Sequence, residues 1–233
     1  MRQRRGTPKG HERLAAADYF RRYKKEERQP VRQVKVEEDQ TLKQITDAWK
    51  KFRPGLQEGK ARAKARYLLR GISYTAKDIE KFSLSLILFQ HEKGFEWKAG
   101  YFLSQLINNC EDREITKHTH HLSVRINTPV YGNIKNVTIN GDAGIRIGDH
   151  MTQGRILVKG DCGAYLGWNM DGGTVIVEGS AGSWVAMSMR GGTLHVNGDK
   201  PRFSKLFLHR NPKSDIKIYH KGKQLWPEKS DVK

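Results

Sequence analysis

The chain has only two cysteines, Cys110 and Cys162, in 233 residues. That excludes a disulfide framework, a CxxC redox pair and a cysteine-ligated cluster, and it predicts a reducing compartment. No stretch approaches the ~18 consecutive apolar residues of a membrane helix. The opening MRQRRGTPKGHERLAAADYF lacks the apolar centre of a secretory signal. These absences predict a cytoplasmic protein without a membrane partner. Apolar residues are scarce as well, at 36% of the chain, so part of it is expected to lie outside any core. Acidic residues are outnumbered 25 to 43 by lysine and arginine, which leaves a net charge of +18. The imbalance is local: residues 1–70 carry +12 of it and the other 163 residues only +6.

What the chain does have is a repeat. GDAGIRIGDHMTQGRILVK (141–159), GDCGAYLGWNMDGGTVIVE (160–178) and GSAGSWVAMSMRGGTLHVN (179–197) follow one another at a period of nineteen. Five columns are invariant: Gly141/Gly160/Gly179, Gly144/Gly163/Gly182, Met151/Met170/Met189, Gly154/Gly173/Gly192 and Val158/Val177/Val196. Within each unit Ile156 and Val158 alternate with Leu157, which is the period of a strand and not of a helix. A second short strand is expected around Ile147, Leu166 and Val185. A unit this short cannot bury its own strands, but stacking units at ~4.8 Å turns identical columns into continuous ladders. The expected core is therefore a β-helix, its glycines turning corners and its Met and Ala143/Cys162/Ala181 columns filling the interior. Residues 114–140 read as a degraded first turn, with Val137 and Ile139 in the columns of Ile156 and Val158.

The Gly-Asp-x-Gly, the Met and the Gly-Gly followed by alternating valines resemble the GXGXG domain family, over roughly residues 120–200. That family includes the C-terminal domain of the glutamate synthase large subunit and one of the subunits of formylmethanofuran dehydrogenase. The resemblance implies an all-β core built as a short right-handed single-stranded β-helix. It carries over no catalytic residue, since the domain there is a structural and interdomain-packing element.

Four segments are expected: a basic, partly flexible or helical arm (1–70), a helical hairpin packing on the coil (71–113), the β-helix (114–200) and a C-terminal capping segment (201–233) with a turn at Lys221-Gly222. In TLKQITDAWKKFRPG, Leu42, Ile45, Trp49 and Phe52 share one helical stripe, with Thr41 as N-cap and Pro54 as the stop. A further helix runs through KARAKARYLLRG to Gly71. In the hairpin, Thr75 and Asp78 form a capping pattern and Gly94 ends that helix. Phe95, Phe102, Leu103, Leu106 and Ile107 then make the apolar face of the next.

No Ser/His/Asp set or paired carboxylates stand out, so no enzyme activity and no cofactor are expected of this chain. His118 and His120 would share a strand face and are a weak metal candidate without a partner at ligand spacing. GDCG lacks the Lys-Ser/Thr and the helix of a phosphate loop. One column resists a core reading: Arg146, Tyr165 and Trp184, with Trp168 beside it, would form an outward aromatic and cationic ridge. Either the helical hairpin covers this ridge or a partner does. The arm is a nucleic-acid candidate through Arg2, Arg4, Arg5, Arg21, Arg22, Lys24, Lys25, Arg62, Lys64 and Arg66. The function expected is that of a non-catalytic structural or protein-interaction module, an accessory subunit or homo-oligomer. RNA association through the arm, and a non-catalytic subunit of a glutamate synthase-like or formylmethanofuran dehydrogenase-like oxidoreductase, are the alternatives.

Overall fold

The structure is a computed structural model that describes residues 39–55, 57–128, 130–203 and 215–227. Helix α1 (Gln40–Lys51) starts earlier than Thr41 would have it, because Asp39 is its N-cap and accepts the Leu42 amide at 3.0 Å. A carboxylate there satisfies one of the orphan amides of the first turn, and Lys81 holds it from the side at 2.6 Å. Helix α2 (Glu58–Leu68) buries only the alanines Ala61 and Ala65, which lets its backbone come close to α4 while its other faces stay polar. Helix α3 (Ala76–Ser85) opens on the Thr75/Asp78 capping box. It ends before Gly94, since Leu86–Phe89 tighten into a 3-10 turn. Gly94, at φ 73°, instead starts α4 (Phe95–Asn109). Trp49 gathers this layer: Phe82, Phe89, Phe95 and Phe102 all lie with ring centres 5.5–6.1 Å from it.

The rest is a parallel β-solenoid. Strands β1 (Glu114–His118), β2 (Asn136–Asn140), β3 (Arg155–Val158), β4 (Thr174–Val177), β5 (Gly192–Val196) and β6 (Ile216–His220) pair in chain order, and β7 (Lys223–Trp226) folds back antiparallel on β6. Asn136, Arg155, Thr174 and Thr193 are successive partners, so the register advances by nineteen residues per turn. The end turns are longer: Glu114 meets Asn136 and Thr193 meets Lys217. Two interior columns result, one of Ile115, Val137, Ile156, Val175, Leu194 and Ile218, the other containing Ile139, Val158, Val177 and Val196, all at most 2% exposed. Met151, Met170 and Met189 are buried too, and Ala143, Cys162 and Ala181 bridge one another in parallel.

The second strand expected near Ile147 is not there. Residues 146, 148 and 150 and their equivalents take positive φ in all three turns, so this side is a run of left-handed bends. The Gly-Asp corner has its own logic. The Asp161 amide donates to Asp142 Oδ1 at 2.9 Å, and the Ser180 amide donates to Asp161 Oδ1 at 2.8 Å. Each turn's side chain thus caps the backbone of the next, and glycine precedes it because a Cβ on Gly179 would stand 2.2 Å from Asp161 Oδ1.

Both ends are closed within the described residues. At the first strand the His118 amide donates to Ser83 Oγ of α3 at 3.0 Å. Helix α4 lies along the coil, where Ser104 Oγ donates to the Thr128 carbonyl at 2.8 Å. A Cβ on Gly100 would fall 1.7 Å from the Asn127 carbonyl oxygen, so only glycine allows that approach.

Lys117 occupies the position of Ile139 one turn down, fully buried and without a hydrogen-bond partner for Nζ. Burial lowers its pKa from 10.5 to about 7. An amine whose folded pKa is depressed costs stability below that value, and the cost fades as pH rises towards the unfolded pKa. Lys117→Met should therefore be more stable than the parent at pH 6, by on the order of 5 kcal/mol. The gain should shrink between pH 7 and pH 10 in paired denaturation curves. Val177→Asp should abolish cooperative melting by circular dichroism, since it sets an unpaired charge between Val158 and Val196.

Candidate functional site

The left-handed bends put Arg146, Tyr165 and Trp184 at φ 64°, 63° and 61° on one flank of the solenoid. Only glycine takes this conformation freely, and each residue gives up roughly 1 kcal/mol for it. The three turns aim three different side chains from the same backbone.

Arg146 is engaged. Its guanidinium carbon sits 3.7 Å from the centre of the Trp168 ring and 5.9 Å from that of Trp97 of α4. Its Nη1 makes a short charge-assisted contact with Glu58 of α2. Glu58 also holds Arg62 at 3.5 Å, and Arg62 covers the Tyr131 ring at 3.7 Å. Tyr131 in turn packs on His150, whose Nδ1 lies 2.6 Å from Asp149 Oδ1. This alternation of cations and rings fastens α2 and α4 to the coil.

Burial dominates its electrostatics. It raises Asp149, although His150 pulls the other way, and it raises Tyr131. Tyr101 is pushed up to about 12, first by burial and then by Glu58. Beside it a cleft of about 940 Å³ opens between Arg53, Lys93, Trp97 and Lys98.

Along the same flank the cover thins. Tyr165 is half-buried against Trp168, with ring centres 5.7 Å apart. Trp184 is 51% exposed, and among the described residues no ring packs on it. The ridge is thus partly covered by the helices and partly bare.

The remaining sequence candidates are placed as follows. His118 contacts Glu80 at 2.8 Å through Nε2, and its ring meets that of His120 edge-on at 5.5 Å. Among the described residues no three His, Cys, Asp or Glu gather as metal ligands. Cys162 is buried, with its thiol pushed up to about 12 by desolvation. Lys64 and Arg66 lie exposed on the outside of α2, whereas Arg62, grouped with them by charge, faces the coil. Arg2, Arg4, Arg5, Arg21, Arg22, Lys24 and Lys25 lie outside the described residues. No helix among the described residues is long and apolar enough to cross a membrane. Sequence reasoning missed Glu58 and Tyr131, whose partners Arg146 and Arg62 are far away in the chain, and His150, whose ring meets Tyr131 only once the coil has formed.

A helix-flanked parallel solenoid with Asp-capped glycine corners defines the class: a β-solenoid domain with an apolar interior and helices packed on its side. Residues 106–213 match the family model of the GXGXG motif, and this part of the chain belongs to that family. The match takes in the last turn of α4 and the coil from β1 to β5, and it is compatible with a glutamate synthase-like domain. No curated protein and no solved structure matches the chain.

Arg146→Ala should loosen the helices without unfolding the coil. A cation–π contact and a charge-assisted bond together contribute about 2–3 kcal/mol. Hydrogen exchange should quicken across residues 58–68 while β3 to β5 stay protected.

Proposed function

We propose that this chain is a non-catalytic interaction module, an accessory subunit that seats a protein partner on the solenoid flank at Trp184. The observation that supports it is the contrast within one column: Arg146 is clasped by α2 and α4, whereas Trp184, on the same backbone conformation, is half exposed. The flank already serves as docking ground inside the chain, and its bare end offers a large aromatic side chain of the kind that anchors interfaces. Tyr165, one turn back in the same column, and Trp168 packed against it extend the aromatic surface of this flank. Compatibility with a glutamate synthase-like domain favours a partner that carries the chemistry while this chain supplies packing surface.

The test is affinity capture from native lysate with mass spectrometry, comparing the parent with Trp184→Ala and with the exposed control Lys159→Ala. The reading requires one protein held by the parent and the control at defined stoichiometry and weakened at least tenfold by Trp184→Ala, the size expected of a hot-spot aromatic. Equal retention by all three forms, or a monodisperse parent that holds nothing, sinks it.

A further inference from the structure

Helix α2 turns two unlike faces to its surroundings. Ala61 and Ala65 are buried against the protein, and Glu58, the only acidic residue of the helix, is tied to Arg62 and Arg146. The opposite arc holds Lys60, Ala63, Lys64, Arg66, Tyr67 and, just past the helix end, Arg70, all exposed. No carboxylate pairs with any of these four cations among the described residues. Arg66 alone has a polar partner, the neutral Gln105 amide oxygen at 3.3 Å. Tyr67 stands in the middle of them, 73% exposed. Ala63, Arg66, Tyr67 and Arg70 share a shallow groove of about 360 Å³ with Asn109 of α4.

Four uncompensated cations along about 15 Å of helix hold a polyanion by releasing its counterions. Tyr67 narrows the class. An exposed ring among phosphate-binding cations adds a stacking platform for an unpaired base, and it adds little on a duplex whose bases already stack. A membrane surface fits worse: an interfacial helix needs large apolar side chains towards the lipid. Here the outward face offers nothing aliphatic beyond Ala63, and the apolar face is already buried. We propose that the outer face of α2 binds single-stranded nucleic acid, with Lys60, Lys64, Arg66 and Arg70 on the phosphates and Tyr67 stacked on a base. This surface is separate from the flank at Trp184 and stands or falls independently of it.

The experiment is fluorescence anisotropy on the full chain with labelled single-stranded RNA, single-stranded DNA and the matching duplex between about 50 and 200 mM salt. Four contacts on a single strand predict a loss of affinity of roughly 50-fold or more over that range. Replacing Lys60, Lys64 and Arg70 together by alanine should reduce the logarithmic salt slope by about 2. Tyr67→Ala should weaken binding about tenfold and leave the slope unchanged, and Tyr67→Phe should restore it. Preference for RNA or for DNA identifies the source of the strand, and either result supports the assignment. It is overturned by duplex bound as tightly as single strand, by Tyr67→Ala binding like the parent, or by a triple variant with an unaltered slope. Loss of anionic-vesicle binding in the same variants without loss of oligonucleotide binding overturns it too. Because every altered side chain is exposed, unchanged melting curves are expected and separate loss of binding from loss of fold.

Discussion

Parallel hydrogen bonding between turns, held at a constant nineteen-residue advance, is the constraint on which the rest of this structure depends. Once the register is fixed, each position in a turn has the same position above and below it. A side chain that suits one turn must suit its copies. This explains why valine stacks on valine, why the Asp142 and Asp161 carboxylates reach forward to the next amide, and why glycine stands where a Cβ would strike that carboxylate. It also explains the tolerance of the flank. Positions that point outward have no partner in the ladder, so Arg146, Tyr165 and Trp184 diverge in chemistry while sharing one backbone angle.

The same constraint decided what could be read in the sequence. A stack of identical environments writes itself as identical residues, so the period, the inward valines and the small Ala143/Cys162/Ala181 column were legible. The GXGXG resemblance is upheld by the family match over residues 106–213. The capping box at Thr75 was legible for a different reason, because its partners lie three residues apart. What could not be read depends on distant partners or unusual backbone. Nothing in the composition of Arg, Tyr or Trp announces a left-handed bend, so a strand was expected where the chain turns. Lys117 looks like a surface residue until β1 pairs with β2 and places it inward. Glu58 meets Arg146 across a long stretch of intervening chain, and no local pattern encodes that meeting.

The helices convert a repetitive object into one with distinct faces. Without them every side of the coil would present the same short motifs. Helices α2 and α4 take one end of the flank, leave the other bare, and bring a cationic outer surface that the coil itself does not have. Charge is distributed accordingly. In the coil, Arg125 grips Asp142 at 2.6 Å and Arg190 pairs with Asp171 across adjacent turns. On the outer arc of α2 the cations go without such partners among the described residues, so this unpaired positive charge sits on the helices added to the solenoid and not on the solenoid itself.

The closed ends have a further meaning. A stack of parallel strands with a free first or last member is a template on which another copy can add indefinitely. Here the first strand gives an amide to Ser83, and the last parallel strand is covered by β7, which runs the opposite way, slips register at Ile218 and ends just before Pro227. The coil therefore carries its own stop signals, and its length is a property of one polypeptide instead of a filament. What the closed ends leave open is the side of the coil, and a partner seated there would meet an object of fixed length and therefore bind in a countable stoichiometry.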